Sequence, residues 1–113
     1  MTAQLRLNDP SLLETRGYVN GAWVTKDKTF AVHNPATGDV IAQVADLDVA
    51  DTSTAIDAAY AAKKDWATWT GKERAAIMRK WYDLMIANAD DLATILTAEM
   101  GKPWAEARGE IIY

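Results

Sequence analysis

The chain has 113 residues, of which 50% are hydrophobic and 25% are charged, as is usual for one small globular domain. Twelve Lys and Arg against sixteen Asp and Glu give a net charge of −4. This argues against a nucleic-acid partner, because binding to a phosphate backbone needs a surplus of cations. Cysteine is absent and histidine occurs once, which excludes a disulfide, a thiolate nucleophile and a multi-histidine metal site within these residues.

The N-terminal segment, residues 1–10, alternates polar and apolar residues and lacks the apolar core of a secretory signal. No run of residues approaches the length of a membrane span. The sequence therefore predicts a cytoplasmic protein without a membrane partner.

The first half of the chain is predicted to form strands over about residues 17–46. Asn20-Gly21 separates two short runs of β-branched and aromatic residues, and this pair favours a hairpin because both residues tolerate the positive φ of a type I′ turn. The next extended run, 29–33, leads into a Pro- and Gly-containing turn over 34–39, and a further run follows at 40–45. We expect these strands to form a small antiparallel meander.

The second half is predicted to form three to four helices over about residues 49–113. Asp48 and Asp51 have the spacing of an N-cap and a first-turn acid, and Thr70 with Glu73 matches a capping box. Asn88 marks a break between two further helical stretches. Later in the chain, Gly101 suits the position that ends a helix, and Pro103 suits the first turn of the next one.

The predicted helices carry apolar residues at helical spacing. These residues are Ile56, Ala59, Tyr60 and Trp66, then Ile77, Trp81, Leu84 and Met85, then Leu92, Ile95, Leu96 and Met100. We interpret them, and the five tryptophans, as core or interface anchors rather than as a cofactor-binding box. The last helix ends on the apolar residues Ile111–Tyr113 without a cap, so we expect the chain to be truncated.

Four motifs occur in an order and spacing that resemble the N-terminal part of the aldehyde dehydrogenase superfamily. They are Tyr-Val-Asn-Gly-Ala-Trp at 18–23, Asn-Pro-Ala-Thr-Gly-Asp at 34–39, Lys-Glu-Arg-Ala-Ala-Ile at 72–77, and the stretch from Glu-Met-Gly-Lys-Pro through Ala-Glu-Ala at 99–107. The stretches at 7–13 and 79–85 look most like the NAD(P)-dependent succinate-semialdehyde dehydrogenases. The resemblance covers the chain from about Leu7 to Tyr113.

The resemblance implies an α/β subunit with a Rossmann-like cofactor domain, a catalytic domain and an oligomerisation arm. Residues 1–113 would be the N-terminal portion of the NAD(P)-binding domain, an α+β segment in which a β-hairpin or meander precedes three to four α-helices. Its partners would be the remainder of the dehydrogenase subunit and, when complete, further copies in a homo-oligomer.

In this family a cysteine thiolate attacks the aldehyde, hydride passes to NAD or NADP, and a glutamate activates water. This chain cannot supply the nucleophile, since it lacks cysteine, and we expect none of its residues to be catalytic. It also lacks a glycine-rich strand–turn–helix, so we expect NAD or NADP to bind the full-length enzyme and not this segment alone.

The resemblance further implies a candidate site for a structural monovalent cation. Its ligands here would be the backbone carbonyl of His33 and the side chain of Glu110, and oxygen ligands suit such a hard cation. The remaining ligand would lie beyond Tyr113. In the alternative interpretation, His33 is a strand-end residue with a satisfied hydrogen bond, and Glu110 belongs with Glu106 to a solvated or ion-paired helix face.

Gly101-Lys102-Pro103 superficially resembles part of a phosphate-binding loop. The second glycine and the Ser or Thr of such a loop are absent, and the end of one helix followed by the start of another explains the motif.

Three hypotheses about function follow. The chain is the N-terminal segment of an enzyme that oxidises an aldehyde, most simply succinate semialdehyde to succinate, and is inactive alone. Alternatively, it is a stand-alone helical interaction module that binds a partner through exposed apolar stripes. In the third hypothesis it belongs to an aldehyde dehydrogenase with another substrate, such as a betaine aldehyde or glutarate semialdehyde.

Overall fold

The structure, a computed structural model, describes residues 4–113 and consists of two β-hairpins followed by four α-helices. The strands are β1 (Gly17–Val19), β2 (Ala22–Val24), β3 (Thr29–His33) and β4 (Val40–Ala45); the helices are α1 (Val49–Trp66), α2 (Gly71–Ala87), α3 (Ala89–Met100) and α4 (Trp104–Ile112). A 3-10 turn at Pro10–Leu12 precedes β1. The predicted α+β order, strands first and helices second, is confirmed.

The first hairpin, β1–β2, has the turn that the sequence predicts. Val19 pairs with Ala22, which leaves a two-residue loop, and both loop residues have positive φ, 51° at Asn20 and 77° at Gly21. Tyr18 and Trp23 pair across the strands with ring centroids 4.9 Å apart in an edge-to-face arrangement. The two positive φ values are those of a type I′ turn, whose twist matches the twist of the paired strands. The aromatic pair packs across the same strands.

The second hairpin, β3–β4, closes through the 34–39 turn. The N–H of Asn34 donates to the carbonyl of Asp39, and the N–H of Gly38 donates to the carbonyl of Asn34. In contrast to the expected single meander, the four strands form two separate two-stranded sheets. The N–H of Ala45 at the end of β4 donates to the carbonyl of Thr15, so the hairpins are linked through the chain before β1 and not by pairing of β2 with β3.

The first two helices begin at the predicted caps. The side chain of Asp48 accepts from the N–H of Asp51, whose carboxylate accepts in return from the N–H of Asp48. Thr70 and Glu73 make the same reciprocal pair at the start of α2. A hydrogen bond from Lys26 helps to lower the pKa of Asp51 and ties the chain between the hairpins to α1.

The helix ends also follow the sequence closely. Asn88 separates α2 from α3, and its side-chain amide donates to the carbonyl of Leu84. Gly101 ends α3 with a left-handed φ of 78°. Pro103 immediately precedes α4, one position earlier than expected, because the helix begins at Trp104.

The buried core of the described residues is small and consists mainly of alanines. Its apolar members are Ile41, Ala89, Ala93, Ala98 and Ala107, and no large side chain in the described part is fully buried. The radius of gyration, 16.7 Å, exceeds the roughly 13 Å expected for a compact domain of this length. Most of the apolar surface of the helices therefore remains in contact with solvent.

The N-terminal segment is held to α3 by the carboxylate of Asp91. Its oxygens accept from the backbone N–H groups of Asn8 and Asp9, at 2.9 and 2.8 Å, and from the side-chain amide of Asn8. Asp91 is 5% exposed, and these backbone hydrogen bonds lower its pKa below the ordinary value of 3.8. This contact joins residues more than 80 positions apart.

The left-handed backbone at Gly101 generates a prediction. Gly101→Ala is expected to reduce the free energy of unfolding by about 1–2 kcal/mol, because a Cβ is strained at positive φ and would also lie 3.2 Å from Cγ of Pro35. Native-state amide hydrogen exchange at the end of α3 measures the change and does not require one sharp unfolding transition. Gly109→Ala, in open space within α4, is the matched control and should leave stability equal or higher.

The Asp91 contact generates a second prediction. Because folding lowers its pKa, Asp91 stabilises the fold fully above pH 3.8 and loses this contribution as the pH falls through the folded-state pKa. The protection of the Asn8 and Asp9 amides against hydrogen exchange, taken relative to an unstructured peptide at the same pH, should therefore fall in this acid range. Asp91→Asn should already show fast exchange at neutral pH, whereas Asp90→Asn, which changes a neighbouring exposed carboxylate, should not. Equal protection in all three proteins at neutral pH would contradict the assignment.

Candidate functional site

Glu110, the candidate cation ligand on α4, has a partner within the chain. Its carboxylate forms an ion pair with the ammonium group of Lys102, which lies in the connection between α3 and α4. The Lys102 side chain is only 20% exposed, whereas that of Glu110 is 52% exposed. The carboxylate therefore faces a positive charge that the fold itself supplies.

His33, the other candidate ligand, lies at the end of β3. Its ring Nδ1 is 3.1 Å from the carbonyl oxygen of Gly38, a distance that suits a hydrogen bond from a protonated Nδ1 across the turn. The turn also packs on the α3–α4 connection, since Pro35 approaches Gly101. Thus the strand end that carries His33 and the connection that carries Lys102 lie at the same end of the fold.

The described contacts thus give Glu110 another partner, Lys102, whereas the contact of His33 with Gly38 is made by its ring and not by the backbone carbonyl of the candidate site. Residues 4–113 contain no group of three or more His, Cys, Asp or Glu side chains that could hold a metal ion. A monovalent cation at Glu110 would have to share or displace the Lys102 ammonium. Sequence reasoning missed this pair because eight positions separate the two residues, twice the spacing of a helical ion pair.

Ion pairing extends along the same helix. The guanidinium of Arg108 on α4 contacts the carboxylate of Asp90 on α3 at 2.7 Å. Glu110 and Arg108 both form ion pairs, as the interpretation of this face as ion-paired predicts. Gly101-Lys102-Pro103 is likewise explained structurally, because Gly101 ends one helix and Lys102 is paired with an acid.

Exposed large apolar side chains occur on both α1 and α2, which contain no buried residue. We define the α1–α2 apolar surface as the exposed large apolar side chains Ile56, Tyr60, Ile77, Met78, Trp81 and Leu84. Tyr60 is 77% exposed, and Trp81 and Leu84 are 61% and 64% exposed. Apolar surface in water costs about 25 cal/mol per Å², so a concentration of this kind is typical of a surface that another element covers.

Charged groups on α2 occur beside this surface. Arg79 pairs with Asp83 one turn later at 3.1 Å, and its guanidinium lies 5.0 Å from the ring centroid of Tyr82. The helix therefore carries both an ion-paired region and the apolar residues. None of the helices in residues 4–113 combines the length and apolar character that crossing a bilayer requires.

Comparison with known proteins identifies relatives of the whole described fold. The sequence pattern of the Aldehyde dehydrogenase family matches residues 23–113. The chain is 50% identical over 109 residues to 3-sulfolactaldehyde dehydrogenase of Pseudomonas putida, covering 95% of the chain and 22% of that protein. It is 50% identical over 111 residues to glutarate-semialdehyde dehydrogenase of Pseudomonas aeruginosa, covering 96% and 23%. Mitochondrial succinate-semialdehyde dehydrogenase of Homo sapiens is 48% identical over 103 residues, covering 91% and 19%.

Solved structures agree with the sequence relatives. An aldehyde dehydrogenase from Brucella melitensis biovar abortus 2308 superimposes with a TM-score of 0.92 at 55% identity, over 96% of this chain and 23% of that one. An NADP-dependent enzyme of E. coli gives 0.91 at 44% identity, with the same coverage. Indole-3-acetaldehyde dehydrogenase of P. syringae, solved with NAD+, gives 0.79 at 31% identity over 85% and 20%.

The chain spans between a fifth and a quarter of the length of the first curated relatives it matches. The superpositions cover 96% of the chain and so extend over the hairpins and the four helices. On the strength of the family pattern and of these superpositions, the chain belongs to the aldehyde dehydrogenase family.

Proposed function

We propose that the chain forms the N-terminal part of the NAD(P)-binding domain of a semialdehyde dehydrogenase and has no catalytic activity alone. The observation that carries the proposal is the α1–α2 apolar surface, which no other part of residues 4–113 covers. The remainder of the dehydrogenase subunit would be the partner that covers this surface, since the chain matches less than a quarter of each relative. Docking would remove the apolar surface from water.

The cofactor, NAD or NADP, would bind outside these residues. A helix N-terminus binds a pyrophosphate when its backbone N–H groups are free and its first turn is not acidic. Here each of the four helices has an acid in its first turn: Asp51 in α1, Glu73 in α2, Asp90 and Asp91 in α3, and Glu106 in α4. The carboxylates of Asp51 and Glu73 also accept N–H donors at their own caps, so these termini repel an anion.

The substrate in this proposal is a short aldehyde with an acid group at its other end, foremost succinate semialdehyde. Support comes from the relatives, whose names specify succinate semialdehyde, glutarate semialdehyde and 3-sulfolactaldehyde. The residues that would contact either end of the substrate lie outside this chain. We further propose a cytoplasmic homo-oligomer for the complete protein.

The role of the α1–α2 apolar surface can be tested in a chimera. This chain replaces the matching N-terminal segment of the P. aeruginosa glutarate-semialdehyde dehydrogenase. We expect a soluble chimera that oxidises glutarate semialdehyde, and we expect isolated residues 1–113 to self-associate and to be inactive. Leu84→Asp in the chimera should reduce the soluble yield, because a buried unpaired carboxylate destabilises docking by several kcal/mol.

Lys80→Asp on the same helix is the matched control, and it should leave the soluble yield unchanged because it replaces one exposed charged side chain by another. Size-exclusion chromatography and a spectrophotometric cofactor assay provide the measurements. An isolated chain that is monodisperse and unfolds in one sharp thermal transition would instead favour the stand-alone interaction module.

The monovalent cation site at His33 and Glu110 is part of the proposal and has its own test. In the chimera, Lys102→Met removes the competing ammonium, so potassium or sodium should stabilise this variant more than the parent. The gain should be about 1.4 kcal/mol at roughly ten times Kd. Thermal unfolding in KCl is compared with choline chloride at equal ionic strength. Glu110→Gln should abolish the difference, and identical salt responses in all three proteins would exclude the site.

A further inference from the structure

The turn of the first hairpin presents an exposed Asn-Gly pair whose chemistry the proposed function does not use. Asn20 and Gly21 are both solvent-exposed and form the whole of a two-residue loop between Val19 and Ala22. We infer that Asn20 is a site of spontaneous deamidation and that the folded hairpin controls its rate. The inference is independent of the proposed function, because it rests only on the geometry of β1 and β2.

The reaction requires only the chain and water. The backbone nitrogen of Gly21 attacks Cγ of the Asn20 side chain, so a C–N bond forms and closes a five-membered succinimide. The Cγ–Nδ2 bond breaks, and the amide nitrogen leaves as ammonia with the proton that the Gly21 nitrogen gives up. Water then opens the ring at one of its two carbonyls and leaves either aspartate or isoaspartate. No oxidant or reductant takes part.

Glycine makes Asn20 the most reactive asparagine of the chain. Because Gly21 has no Cβ, its nitrogen is unhindered and its backbone reaches conformations closed to other residues. Asn34 cannot react in the same way, since the nitrogen of Pro35 carries no hydrogen to give up.

The two remaining asparagines are restrained by the fold. The side-chain amide of Asn8 and the N–H of Asp9, its would-be nucleophile, both donate to the carboxylate of Asp91. Asn88 donates its side-chain amide to the carbonyl of Leu84, and the following residue, Ala89, is 3% exposed. Asn20 is thus distinguished both by its neighbour and by its exposure.

The folded turn slows ring closure at Asn20. A type I′ turn fixes the peptide between its two central residues, here with φ of 51° and 77°. Ring closure needs this peptide to rotate until the Gly21 nitrogen faces Cγ, and that rotation is incompatible with the pairing of Val19 and Ala22. The hairpin must therefore open before the reaction proceeds at the rate of a flexible chain.

Contacts behind the turn determine how often the hairpin opens. Tyr18 and Trp23 pack across the strands, and the guanidinium of Arg16 lies 5.1 Å from the ring centroid of Trp23. Gly17 at the base of β1 lies directly against Leu47, which leaves no room there for a Cβ. Loss of either aromatic ring would raise the population of the open hairpin.

The two products differ in their effect on the hairpin. Aspartate preserves the turn, because Asp-Gly also favours type I′ geometry. Isoaspartate adds a methylene group to the backbone, so the loop no longer closes with Val19 opposite Ala22. Each product adds one negative charge, which takes the net charge from −4 to −5.

The experiment measures deamidation by peptide mapping with mass spectrometry after incubation of the purified protein at neutral pH. Samples are kept native or fully unfolded in guanidinium chloride. We expect Asn20 to react fastest of the four asparagines in the unfolded sample, Asn34 not to react, and Asn20 to react more slowly in the native protein. Trp23→Ala should accelerate the native reaction roughly two- to tenfold, which corresponds to the loss of one aromatic pair.

Trp104→Ala, which removes an exposed ring far along the chain on α4, is the control and should leave the native rate at Asn20 unchanged. Tyr18→Ala tests the same pair from the other strand and should act like Trp23→Ala. Equal rates in native and unfolded protein, or native rates that neither hairpin variant changes, would overturn the inference. A variant whose hairpin does not fold should react at the unfolded rate, which also supports it.

Discussion

The rest of this structure depends on one constraint, which is that α1 and α2 expose their apolar side chains instead of burying them. A chain of this size normally stabilises itself by burying large side chains, whereas the buried residues between positions 4 and 113 are four alanines, one isoleucine and one aspartate. Alanine contributes little burial, but it allows α3 and α4 to approach closely. The folded order of this segment therefore rests on backbone hydrogen bonds, caps and a few long-range contacts, while most of the large aromatic side chains are exposed.

Sequence reasoning succeeded where the physical cause is local. The hairpin turn at Asn20-Gly21, the capping boxes at Asp48 and Thr70, and the left-handed Gly101 are each specified by a few adjacent residues. Such signals act through backbone sterics and hydrogen bonds within one turn, so a single sequence contains them completely.

Sequence reasoning failed where the cause is distant in the chain. No residue near Asp91 in the sequence indicates that its carboxylate accepts hydrogen bonds from the N–H groups of Asn8 and Asp9. Lys102 and Glu110 are separated by more than the spacing of a helical ion pair. Instead of the expected meander the strands form two hairpins, and Thr15, which lies outside every strand, bonds to the end of β4. Of the candidate cation site, the sequence could name ligands by resemblance, whereas the ammonium beside Glu110 became visible only in three dimensions.

The contact between Asn8 and Asp91 has a consequence for biosynthesis. The donor and the acceptor are 83 positions apart, so Asn8, which is synthesised earlier, must wait for α3 before it can dock. At 5–20 residues per second this interval is roughly 4–17 s, far longer than a hairpin needs to form. During translation the two hairpins can therefore form early, while residues 4–13 remain unattached. Residues 4–13 can dock only after α3 has been synthesised.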